Sequence, residues 1–187
     1  MDRKEFLMVY VFLADGFEEM EALAPVDILR RAGVEVKTVG VTGEAVEGAH
    51  GIQVKADVSV NEIILDEKLE MIVLPGGMPG TVNLENNACV QKAVDYCVNT
   101  DKFIGAICAA PKILGNKGIL NGREATCFPG FEEELKGAKL CHSTVVVDGK
   151  IITAKGAGVA LDFGLKLVEL LVYEEKAKSL KESLQCR

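Results

Sequence analysis

Phe103-Ile104-Gly105-Ala106-Ile107-Cys108-Ala109-Ala110-Pro111 is an apolar run that ends at a cysteine and meets a proline three residues later. Apolar and small residues over Phe103 to Ile107 suit a buried strand, and the fixed φ of Pro111 suits the first turn of a helix over Pro111 to Asn116. Cys108 is therefore predicted on the bend between them. A side chain there lies near unsatisfied helix N–H groups, a setting that favours a thiolate over a free thiol of pKa ~8.5. A second reading stays open, because free cysteine is commonly a small buried hydrophobe. That is the reading for Cys89, Cys97, Cys127, Cys141 and Cys186.

The flanks repeat the pattern of apolar strand, turn and helix. Glu5 to Leu13 is a nearly continuous apolar run, as expected of a central strand covered on both faces. Ala14-Asp15-Gly16 turns, and Glu18 to Arg31 reads as a helix with Met20, Leu23, Ala24 and Ile28 on its apolar face and a kink at Pro25. Val34 to Val39 gives a second strand and completes a β-α-β unit. In the glycine-punctuated stretch 40–70, only Ile52 to Lys55 reads as a strand.

Met71 to Leu74 is another buried strand, ending in the bend Pro75-Gly76-Gly77-Met78-Pro79-Gly80, whose backbone can approach a ligand closely. A helix is expected over Val90 to Val98 and short strands near Glu124 to Cys127 and Val145 to Val147. Asp148-Gly149 turns into Ile151 to Thr153. Helices over Val159 to Leu171 and Glu174 to Leu184 finish the chain. Alternating strands and helices imply an α/β sandwich with a mostly parallel sheet, and such sheets bind ligands at the carboxyl ends of their strands. Cys108, Gly76-Gly77 and the Asp15 turn all fall there.

The 187 residues suit a single domain spanning 1–187, and the composition, 26% charged and 49% hydrophobic, is that of a globular protein. No run approaches the ~20 apolar residues that cross a bilayer, and Phe6 to Leu13 opens into Ala14-Asp15-Gly16 without a cleavage-type site, so a cytoplasmic address is expected. The net charge of −7 and the lack of a basic cluster beyond Arg30-Arg31 exclude a nucleic-acid footprint. Six cysteines without a C-x-x-C pair argue against structural zinc and read as free thiols.

Glu18 and Glu19 read as a solvated first helical turn, favoured by the dipole, while Glu21 points elsewhere. Gly156-x-Gly158 resembles the start of a dinucleotide fingerprint, but Leu161 stands at the third glycine and no Gly-Lys-Ser/Thr loop occurs. His142 follows Cys141, and adjacent strand residues face opposite sides, so it reads as an ordinary surface histidine.

Gly16-Phe17-Glu18-Glu19-Met20-Glu21, Pro25-Val26-Asp27, Arg30-Arg31-Ala32-Gly33, Leu74-Pro75-Gly76-Gly77, Ala106-Ile107-Cys108-Ala109-Ala110-Pro111 and Gly156-x-Gly158 occur in this order over essentially the whole chain. Together they resemble the ThiJ/PfpI superfamily, nearest to its DJ-one-type deglycase branch and bacterial ThiJ/YajL-like relatives. The resemblance implies a flavodoxin-like sandwich of the class I glutamine amidotransferase type, a homodimer, and no cofactor or metal. It also implies a nucleophile elbow at Cys108, hydrogen-bonded by a protonated Glu21, with the N–H groups of Gly77 and Ala109 forming an oxyanion-type pocket. Two activities follow as expectations. One is glyoxalase or deglycase action on methylglyoxal, glyoxal or their amine and thiol adducts. The other is redox sensing with chaperone-like protection, through a cysteine sulfinic acid.

Arg31 and Asp27 are implied as contacts to substrate or partner subunit, and His50 and His142 more weakly, a surface role being favoured for His50. Departures from the wider superfamily carry information. Peptidase-type members place histidine directly after the nucleophile, where this chain has Ala109, and the late His-x-Glu of amidotransferases is missing. Both triad chemistries are therefore excluded.

Overall fold

The computed structural model describes residues 7–186. Its elements are β1 (Met8–Leu13), α1 (Glu19–Arg31), β2 (Glu35–Gly40), β3 (Ala45–Glu47), β4 (Gln53–Lys55), β5 (Val58–Ser59), β6 (Leu69–Leu74), α2 (Gly80–Asn86) and α3 (Ala88–Asn99). They continue with β7 (Phe103–Ile107), α4 (Pro111–Asn116), β8 (Glu124–Ala125), β9 (Lys139–Leu140), β10 (Val145–Asp148), β11 (Ile151–Ala154), α5 (Ala160–Leu171) and α6 (Glu174–Ser183). The strand and helix around Cys108 have the bounds expected from sequence. Residues 5 and 6 of the predicted first strand lie outside the described residues.

Seven strands form one sheet in the order β10-β11-β7-β6-β1-β2-β5. Every neighbouring pair is parallel except the β10–β11 hairpin. This is the flavodoxin-like sandwich expected, and β1 explains its two faces. Val9, Val11 and Leu13 point into a core closed by α1 and α5, while Tyr10 and Phe12 point into a second core with α3 and α4. A strand covered on both sides has no polar face, hence its continuous apolar sequence.

Some expectations needed correction. Met20, expected on the apolar face of α1, is 58% exposed, and the buried residues are Ala22, Pro25, Val26, Ile28 and Leu29 together with Glu19 and Glu21. The helix packs on both β1 and α5, which centres its buried stripe away from Met20. Glu19 is likewise not solvated: it is 5% exposed. Of the five cysteines read as buried hydrophobes only Cys97 and Cys127 are buried; Cys89, Cys141 and Cys186 are half-buried. No described helix is long and apolar enough to cross a membrane.

Candidate active site

Three strand ends build the site. Cys108 leaves β7 with φ 64°, a left-handed conformation uncommon for a residue with a Cβ. Two backbone bonds hold it there: its N–H donates to Ala154 O at the end of β11 (2.8 Å), and its carbonyl accepts from Phe128 N–H (2.9 Å). Such strain persists only where the surroundings over-determine it. The chain then turns through Ala109 and Ala110 into Pro111 at the first position of α4, so the elbow comes directly from the sequence order.

Glu21 reaches this elbow from the first turn of α1 and is 1% exposed. Its Oε2 accepts the Gly76 N–H at 2.9 Å, it accepts the Ala157 N–H, and it hydrogen-bonds the Cys108 thiol. Gly76 follows β6 and must lack a side chain. A Cβ there would lie 2.6 Å from Cys108 Cβ and 2.6 Å from Glu21 Oε2. Gly77, at φ 90°, and Ala109 direct their N–H groups at the Cys108 sulfur. Cys108, Glu21, Gly77 and Ala109 are thus brought together at the carboxyl edge of the sheet.

Electrostatics set the state of the pair. Burial pushes the Glu21 carboxyl up to about 7; the thiol and the Gly76 and Ala157 N–H groups pull it down, and the Glu18 charge adds to the rise. The thiol, expected to be depressed by its helix, is instead pushed up to about 12 by burial, then by the charge and hydrogen bond of Glu21, against the Ala109 and Gly77 N–H groups. A six-residue helix does not outweigh a carboxylate in contact. Two anions in one buried site are costly, so the pair loses its first proton near 7 and its second only near 12, and between these it shares one proton.

This has a stability consequence. The folded protein retains the Glu21 proton at pH values where the unfolded chain, at 4.5, has released it. The contribution to stability is full below pH 4.5 and is lost as pH rises through about 7. Urea denaturation is expected to show about 3 kcal/mol less stability at pH 8 than at pH 4.5 from this group, a slope that Glu21→Gln removes.

Glu19 serves the neighbouring wall. Its Oε1 accepts the His50 N–H (2.8 Å), it accepts the Ile52 N–H, and its Oε2 meets His50 Nδ1 at 2.8 Å. Burial raises its pKa, but the His50 ring and these N–H groups outweigh that and hold it below the ordinary carboxylate value. His50 is raised in turn by its bond to Glu19 and the charges of Glu18 and Glu19. Glu19 therefore ties the β3–β4 hairpin to α1, and Gly48 leaves room for its carboxyl group. Glu19→Ala is expected to cost about 2 kcal/mol by orphaning the hairpin N–H groups. Faster hydrogen exchange at the His50 and Ile52 amides would register the loss.

The remaining sequence candidates lie elsewhere. Arg31 Nε pairs with Asp27 Oδ2 (2.7 Å) on an exposed stretch of α1, ten residues and ~15 Å of helix beyond Glu21. His142 is exposed and lines a 220 Å³ cavity with Cys127 and Cys141. The alternation rule that separated His142 from Cys141 does not hold, because β9 ends at Leu140.

Two participants were missed. Ala157 contributes an N–H from a 3-10 turn, and Phe128, 46% exposed, lays its ring beside Gly156. A Cβ on Gly156 would stand 3.1 Å from that ring and 3.7 Å from Glu21 Oε1, so this glycine serves close packing at the site. The Gly156-x-Gly158 pattern was the available signal.

The pattern of the DJ-1/PfpI family matches residues 8–170. Protein DJ-1 homolog B of Arabidopsis thaliana is 37% identical over 182 residues, covering 96% of this chain and 41% of the plant protein, so the chain spans about two fifths of that relative. Glutathione-independent glyoxalase DJR-1.2 of Caenorhabditis elegans is 34% identical over 169 residues, 89% of each chain. Among solved structures, oxidized DJ-1 of Toxoplasma gondii is similar at a TM-score of 0.91 and 35% identity, covering 96% of this chain and 98% of the other. On the extent of these matches, the chain belongs to the DJ-1/PfpI family.

Proposed function

We propose that the protein is a cofactor-independent, cysteine-dependent enzyme of the glyoxalase or deglycase type, acting on methylglyoxal, glyoxal or their adducts with amines and thiols. The observation that carries this reading is the Cys108–Glu21 pair, a nucleophile hydrogen-bonded to an acid–base group of near-neutral pKa. The worm relative named a glutathione-independent glyoxalase supports it.

In the proposed cycle, Cys108 Sγ adds to the aldehyde carbon and the C=O electron pair moves onto oxygen. The thiol proton passes through Glu21 to that oxygen, giving a hemithioacetal. The Gly77 and Ala109 N–H groups stabilise negative charge as it develops. Glu21 then removes the proton from the former aldehyde carbon and returns it to the neighbouring carbon through an enediol, leaving a 2-hydroxyacyl thioester. Water cleaves the thioester. The sum is methylglyoxal plus water to lactate.

Purified protein incubated with methylglyoxal in the absence of glutathione is expected to release lactate catalytically. Stoichiometric oxidation of Cys108 by peroxide without turnover would favour the second reading, a redox-responsive protective protein. That reading draws on the partial exposure of Cys108 and on the oxidized state of the Toxoplasma relative. Either role is proposed for a cytoplasmic homodimer, with Arg31 and Asp27 as candidate partner-subunit contacts; light scattering measures the mass.

A further inference from the structure

Glu18 lies across the Gly76-Gly77 bend from Cys108. Its N–H donates to Gly76 O at 2.9 Å, and a Cβ on Gly77 would run into that same N–H group. The Gly77 amide in turn faces the Cys108 sulfur. The Glu18 side chain is 17% exposed, so it is neither fully solvated nor sealed away. Among the described residues the only cationic side chain in contact with Glu18, Glu19 or Glu21 is His50, whose Nδ1 is 3.5 Å from Glu18 Oε2 and 2.8 Å from Glu19 Oε2. One imidazolium at most answers the two carboxylates, so the wall beside the cysteine keeps net negative charge in either state of His50.

We infer that the Cys108 site selects its reactants by charge, admitting uncharged carbonyl compounds and rejecting those that carry a carboxylate, with Glu18 as the specificity-determining residue. The Glu18 charge already acts on Glu21, the carboxyl in contact with the Cys108 thiol, so an incoming anion meets it at a half-buried site where like-charge repulsion is only partly screened. Specificity then comes from a repulsive element and not from an added contact. The inference rests on Cys108 being the reacting group, but it does not require turnover.

Its test uses two alkylating agents that differ in charge. Iodoacetamide and iodoacetate both form a C–S bond to Cys108 as the C–I bond breaks and iodide leaves with the electron pair, while the thiol proton goes to Glu21 or solvent. Rates are read at the Cys108 peptide by mass spectrometry, with glutathione as the reference thiol. The ratio of iodoacetamide to iodoacetate rates is expected to exceed that of glutathione by about tenfold. In Glu18→Gln, and in the wild type at 0.5 M salt, the excess is expected to shrink about threefold. A ratio equal to that of glutathione, or one unchanged by Glu18→Gln and by salt, overturns the inference.

A second arm compares 2-oxopentanal with 4,5-dioxopentanoate, 2-oxoaldehydes of one chain length that differ in a terminal carboxylate. Turnover of the anion as fast as the uncharged compound also overturns it. Failure of both to turn over counts against the glyoxalase reading, and the alkylation ratio still decides the charge selection.

Discussion

Cys108→Ser is expected to lower lactate formation from methylglyoxal by at least about a thousandfold while leaving the fold intact. The hydroxyl occupies nearly the same volume at the elbow and can donate the same hydrogen bond to Glu21. It is, however, far harder to ionise than a thiol. The activating partner is a carboxyl of pKa about 7, too weak a base to raise a serine oxygen to useful nucleophilicity. Glu21→Gln keeps an acceptor for the Gly76 N–H but cannot carry a proton, and is expected to lower the rate by at least about a hundredfold. The two losses should not add in the double variant, because each disables the same proton-sharing unit. Initial-rate kinetics with unchanged circular dichroism make the check.

Gly76→Ala should be nearly as damaging, and for a steric reason. The added Cβ falls 2.6 Å from Cys108 Cβ, 2.6 Å from Glu21 Oε2 and 3.0 Å from Ile107 O. None of these is the loose end of a flexible side chain: the first two belong to the pinned elbow and the buried acid. Relief requires moving Glu21 away from the thiol, which breaks the Gly76 N–H bond as well. Activity is expected to fall about a hundredfold or more, and stability by about 2 kcal/mol. Gly158→Ala is the control, since its Cβ meets nothing within 4 Å. Full activity in Gly76→Ala would mean that the contact between Glu21 and Cys108 is dispensable.

The elbow was legible in the sequence because its determinants are local. An apolar run fixes β7, a proline fixes the start of α4, and a single residue must bridge them. What escaped depends on long-range pairing. Strands β3, β5 and β9 are two or three residues long and too short to show a period, so only their partners define them. Helix α2, Gly-Thr-Val-Asn-Leu-Glu-Asn, opens on a glycine and has poor helix propensity; the Gly77 carbonyl and the Asn83 contact with Asp15 hold it.

Charge at the site was misread for a related reason. A glutamate in the first turn of a helix looks solvated until the hairpin that buries it is placed, and that hairpin lies some thirty residues away from Glu19. The raised thiol pKa has the same origin: helix position is local, whereas the burial of the sulfur is set by the whole fold and the opposing carboxylate arrives from α1, more than eighty positions upstream. The resemblance to a known family supplied the pairing of Cys108 with Glu21 that spacing could not.

The central claim is that Cys108 and Glu21 titrate as one unit. The direct measurement is the pH dependence of iodoacetamide alkylation at Cys108 in the wild type and in Glu21→Gln, read by peptide mass spectrometry from pH 5 to pH 10. The wild-type rate is expected to rise through an inflection near 7, where the pair loses its first proton. In Glu21→Gln that inflection should vanish, leaving a single rise at higher pH, because burial still holds the thiol above the free value of ~8.5 once the Glu21 charge is gone. Identical profiles in the two proteins, or a wild-type profile that rises only as an isolated thiol does, would contradict the shared proton and with it the proposed chemistry.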